Sequence, residues 1–115
     1  MDITVNEKNY HFKFGYGFLA RINEKYSLDK NGIELRLGIG TIITNLMLGD
    51  MQTAFEALLM ANETEKPKIT LDLLDQYLNE VGAEKLINDV IEELKKSEYT
   101  KRLVNQTLQE AQGAL

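Results

Sequence analysis

The 115-residue chain has no cysteine and no tryptophan, and it has one proline and one histidine. Without cysteine there is no disulfide framework, thiolate nucleophile or thiolate metal site. The single histidine, His11, excludes a histidine metal pair, and nothing at a recognisable spacing completes a catalytic triad around it. No apolar run reaches the roughly 18 residues that span a bilayer. The opening MDITVNEKNY carries an early acid where a secretory signal would carry an apolar stretch. Basic charge is also scarce, with 13 Lys and Arg against 18 Asp and Glu and a net charge of −5. A nucleic-acid surface needs the opposite balance. These absences predict a cytosolic protein with neither nucleic-acid nor membrane partners.

What is present suits one small globular domain, too short for a cofactor domain plus a substrate domain. The charge is uneven. Residues 1–61 hold six basic and seven acidic side chains, whereas residues 62–115 hold seven and eleven. An acidic second half fits a solvated helical surface better than a dedicated basic-partner site.

Near the N-terminus, Ile3 and Val5, then Tyr10, Phe12 and Phe14, alternate with Thr4, His11 and Lys13. This period of two predicts an antiparallel hairpin turning at Asn6-Glu7-Lys8-Asn9, with one aromatic face that must pack on helices. His11 falls on the solvent side. Phe18, Leu19, Ile22 and Tyr26 then share a helical face over 17–26, and SLDKNG, with Asn31-Gly32 as the turn signal, breaks that helix. The stretch IELRL, 33–37, reads equally as a strand or as the lead into a helix. Helices are predicted over 37–48 and 51–61, the second capped by Asp50. NETEKPK is a polar loop. Beyond it, Thr70 caps a helix carrying Leu73, Leu74, Tyr77, Leu78 and Val81, which Gly82 stops. The same spacing returns in Leu86, Ile87, Val90, Ile91 and Leu94, and a weaker stripe of Leu103, Val104 and Leu108 follows. The fold class expected is therefore α+β and mostly helical, with an N-terminal hairpin on a bundle of about five helices. Residues 1–108 form the domain and 109–115 a flexible tail.

The candidate chemistry is thin. Gly15-x-Gly17-x-x-Ala20, with Glu34 further on, has the outline of a dinucleotide-binding turn. That motif needs a central strand with a parallel neighbour, whereas this strand is half-polar and pairs with the hairpin before it. The glycines instead let the chain leave the hairpin and enter a helix at once. Asp72 and Asp75 are explained by a helix N-terminus and its surface. No catalytic, cofactor or metal residues are assigned.

The middle of the chain is unusual for its apolar density. Residues 33–61 hold fourteen large apolar side chains, including three of the four methionines. Most belong to a core, but a domain this small cannot bury them all. Methionine suits surfaces that accommodate varied helical partners. Met47, Met51, Phe55, Leu59 and Met60 are therefore the candidate residues for partner binding or self-association.

The ordered blocks ITVNEKNYHFKFGYGFLARINEKY, NGIELRLGIGTIITNLMLGD, LLMANETEKPKITLDLLDQYLNE and VIEELKKS resemble the tail assembly chaperones of long-tailed, siphovirus-like bacteriophages and prophages, especially those of Gram-positive hosts. The resemblance covers about residues 2–100 and rests on no catalytic motif. It departs at the first turn, where NEKN stands in place of an Asn-Gly type. It implies a cytoplasmic, non-virion, non-enzymatic protein that coats the tape-measure protein and keeps it soluble. It further implies copies associating with one another, and a frameshifted, C-terminally extended form that recruits tail-tube protein. A structural tail-completion or connector protein, or a small acidic regulator of the antitoxin or anti-repressor type, would fit the composition alone.

Overall fold

The computed structural model describes residues 1–113 of the chain. The described elements are, in order, β1 (Asp2–Val5), β2 (Lys8–His11), α1 (Tyr16–Lys25), β3 (Ser27–Lys30), β4 (Ile33–Arg36), α2 (Gly38–Met47), α3 (Met51–Asn62), α4 (Leu71–Val81), α5 (Ala83–Lys96) and α6 (Lys101–Gly113). The fold is α+β and mostly helical, as the sequence predicts, but six helices stand where about five were expected.

The N-terminal hairpin forms as the alternation requires. Val5 pairs with Lys8 and Ile3 with Tyr10, so the loop is only Asn6-Glu7, both at positive φ (55° and 64°). Two successive left-handed residues match the twist of the flanking strands. Ile3, Val5 and Tyr10 are buried, while Asp2 and His11 pair on the opposite face at 2.7 Å. β2 ends at His11, earlier than the alternation suggested. Phe12 and Phe14 are still buried in extended chain, because the Lys13 N–H leaves the hairpin to donate to the Ala61 carbonyl at the end of α3 (2.8 Å). Phe14 then meets Phe18 edge-on, with ring centroids 5.0 Å apart, which seats α1.

The core is centred on α2, whose Ile39, Ile42, Ile43 and Leu46 are buried. On α3 the buried stripe is Ala54, Ala57, Leu58 and Ala61, whose three alanines admit close helix contact. Asp50 caps this helix as expected, accepting from the Thr53 N–H at 3.2 Å. Thr70 likewise caps α4, accepting from the Leu73 N–H at 3.3 Å. Leu86, Val90 and Leu94 form the buried line of α5, whereas α4 contributes Leu74 and α6 only Val104. Gly82, at φ 88°, separates α4 from α5.

The residues between α1 and α2 correct the sequence reading. Ser27–Lys30, expected to be a helix-breaking loop, is a strand, and 33–37, left open between strand and helix, supplies its partner. Their register is Ser27 to Arg36, Leu28 to Leu35, Asp29 to Glu34 and Lys30 to Ile33, around a left-handed Asn31-Gly32 turn. At the C-terminus, residues 109–113 continue α6 past the boundary expected at 108; the rest of the expected tail, 114–115, lies outside the described residues.

Candidate interaction surface

Gly15 and Gly17 serve α1. Gly15 is its N-cap, with φ −104° and ψ −156°, and a β-carbon on Gly17 would fall 2.9 Å from Arg21 Nη1. With that space open, the Arg21 guanidinium lies along the helix and donates from Nε and Nη2 to the Met60 carbonyl, at 3.1 and 2.6 Å. Among the described residues, the strand before them pairs only with β1, antiparallel. Asp72 and Asp75 are exposed on α4. Among the described residues, no group of three His, Cys, Asp or Glu side chains could hold a metal ion. No helix among them is long and apolar enough to cross a membrane.

The apolar residues of the middle segment separate into two populations. Ile39, Ile42, Ile43, Leu46 and Leu58 are core. Met47, at the end of α2, is 47% exposed, and its neighbour Leu48 is 80% exposed. Met51, Phe55 and Leu59 lie four apart on α3 and are half-buried, as is Met60. This i, i+4, i+8 line flanks the deeper alanine stripe, so it packs on the core with one side and meets solvent with the other. The five candidates therefore divide: one is exposed, and four sit at the edge of the core. Beside them, Glu56 links α3 to the end of α1, accepting from Lys25 Nζ at 2.7 Å and from the Tyr26 hydroxyl at 3.2 Å. The hydrogen bond to Glu56 raises the Lys25 pKa, and burial raises that of Tyr26.

The β3–β4 hairpin is a second apolar surface, which the sequence reading missed. All eight of its strand residues are exposed. Cross-strand partners share a face, so Leu28, Leu35 and Ile33, with Lys30, line one side and Ser27, Asp29, Glu34 and Arg36 the other. Glu34 and Arg36 line a cavity of about 240 Å³ with Tyr16, Leu19, Ala20, Asn23 and Glu24 of α1. The charged side of the hairpin thus looks toward the body of the protein. Its apolar side does not. Leu28, Ile33, Leu35 and the following Leu37 are 39% to 63% exposed, a cluster of large apolar side chains of the kind found at interaction sites. Leu37 also lines a groove of about 450 Å³ between α2 and α6, opposite Leu103 and Thr107. Asn31-Gly32 was the signal available: this dipeptide between two short runs is a strong hairpin mark.

No match emerges from comparison with curated proteins or with solved structures. A family model described as "Phage tail assembly chaperone protein, TAC" matches residues 2–109, which is nearly the whole chain. With that match over residues 2–109, the chain belongs to the phage tail assembly chaperones.

Proposed function

We propose that this chaperone binds the tape-measure protein in the host cytoplasm, keeps it soluble, and assists the recruitment of tail-tube subunits around it. The observation carrying this reading is the exposed apolar surface on a member of the tail assembly chaperone family. A tape-measure protein is long and largely helical, and before the tube encloses it, its apolar stripes are open to aggregation. Met47, Met51, Phe55, Leu59 and Met60 offer an adaptable apolar surface for such a stripe. A frameshifted form would extend the chain beyond α6 and carry the contact to the tube protein.

Co-expression tests the reading. The tape-measure protein should be soluble with this chain and aggregate without it. Met47→Asp, at an already exposed position, should weaken that protection while leaving the fold intact. Protection should survive moderate salt, because apolar burial is screened far less than exposed charge pairs. A tape-measure protein equally soluble alone would overturn the assignment.

A further inference from the structure

An isolated two-stranded hairpin is marginal in water, and β3–β4 gains little from the rest of the chain because none of its strand residues is buried. Its hydrogen bonds also leave a defined set of backbone groups free. Leu37 donates to the Tyr26 carbonyl at 3.0 Å, and pairing alternates from there through Leu35 with Leu28 and Ile33 with Lys30. The N–H and C=O groups of Glu34 and Arg36 therefore point outward from the free edge of β4. That edge has no proline or bulge, and β4 pairs with no strand but β3 among the described residues.

We propose that the outer edge of β4 pairs antiparallel with the same edge of a second copy, across a two-fold axis at Leu35. Backbone pairing, side-chain face and charge all agree in this one register. The outward groups of Glu34 face those of Arg36 in the partner copy, and vice versa, giving four backbone hydrogen bonds. Leu35 faces Leu35, and Ile33 faces Leu37, so the apolar sides coincide. Each Glu34 carboxylate stands opposite the other copy's Arg36 guanidinium. Within one copy neither side chain forms a salt bridge among the described residues, so both charges are available. The same face parity holds with the axis at Glu34 or Arg36, but those registers oppose like charges. The β3 edge, with Ser27 and Asp29 outward, offers no opposite-charge pair in a two-fold arrangement.

The result is a four-stranded sheet, β3-β4-β4-β3, closed by isologous symmetry. It takes from the proposed function only the expectation that copies associate, and it is measurable on the chain alone, so its failure would leave tape-measure binding untouched.

Sedimentation of the full chain at low salt should show a dimer. Glu34→Arg and Arg36→Glu should each weaken dimerisation by about tenfold or more, since attraction becomes repulsion at two symmetric sites. Both positions are exposed, so circular dichroism should be unchanged. Mixing the two variants restores opposite charges and should recover a one-to-one heterodimer. Because the protein has no cysteine, Leu35→Cys provides a clean second readout. It should oxidise to a disulfide-linked dimer, whereas Leu28→Cys, with its counterpart roughly 14 Å away across three strand spacings, should not. A monomeric wild type would overturn the proposal. So would an association indifferent to both charge reversals, or equal cross-linking at positions 28 and 35.

Discussion

Gly38 lies against Ile22 so closely that a β-carbon at this position would fall 2.3 Å from Ile22 Cγ2 and 2.7 Å from Asn23 Oδ1. The same Asn23 oxygen accepts the Gly38 N–H at 3.0 Å, so this crossing of α1 and α2 is fixed by both contact and hydrogen bond. Gly38 stands at the start of α2, where the chain returns from the exposed hairpin to the core.

Alanine at a helical glycine ordinarily gains up to about 1 kcal/mol. At Gly38 the overlap reverses the sign, because overpacking a rigid contact costs about 1–3 kcal/mol and the Asn23 bond would stretch as well. Gly40, in the same helix, meets only Thr107 Oγ1 at 3.6 Å, an ordinary contact. Denaturant unfolding should therefore show Gly38→Ala destabilised and Gly40→Ala neutral or stabilised by up to about 1 kcal/mol. Equal behaviour of the two variants would refute the close crossing.

Asn62 joins three segments from the buried end of α3. Its Nδ2 donates to the His11 carbonyl at 2.9 Å and the Pro67 carbonyl at 3.2 Å, while its Oδ1 accepts the Ile69 N–H at 2.8 Å. Asn62→Ala would strand the Ile69 N–H in a buried site, at a cost of about 2–4 kcal/mol in unfolding free energy. Asn62→Asp retains the acceptor but turns an oxygen toward two carbonyls. It should be no more stable than the alanine variant near neutral pH.

Acid should act partly through Asp50. The Thr53 backbone N–H, then its hydroxyl, holds the Asp50 carboxyl below its ordinary value of 3.8. A carboxylate depressed by folding stabilises the native state fully above its unfolded pKa and loses that contribution as pH falls through its folded pKa. Asp50→Asn keeps a capping oxygen without the charge. Its stability should fall less steeply than wild type below about pH 4. Parallel pH profiles would contradict this role.

The sequence was readable where periodicity and burial agree. Leu86, Val90 and Leu94 repeat every four residues and line the core side of α5, and Ile3, Val5 and Tyr10 alternate onto one covered face. The β3–β4 hairpin was obscured for the opposite reason. Ser27–Lys30 is mostly polar and looks like loop, while Ile33, Leu35 and Leu37 alternate as a buried strand does although all three are exposed. Periodicity reports which side chains share a face; whether that face is covered depends on chain placement, which no local pattern carries. The surface residues show the same limit. Spacing singled out Met47, Met51, Phe55, Leu59 and Met60, yet Met47 is exposed while the other four are half-buried, and Leu48, more exposed than any of them, sits next to Met47.

α6 packs along α2 and α5 but buries few side chains, which has a consequence for the energy landscape. Thr100, buried beside its first turn, donates to the Leu94 carbonyl at 2.6 Å, and Val104 is the helix's only fully buried residue. Farther along, half-buried Leu108 is the apolar residue that touches the core. Amide protons should accordingly exchange fastest toward Gly113 and progressively more slowly back to Thr100, in a sub-global opening well below the cost of unfolding the α2–α3–α5 core. Such an opening would remove one wall of the groove between α2 and α6, uncovering Gly40 and Thr41 of α2 while the core stays folded.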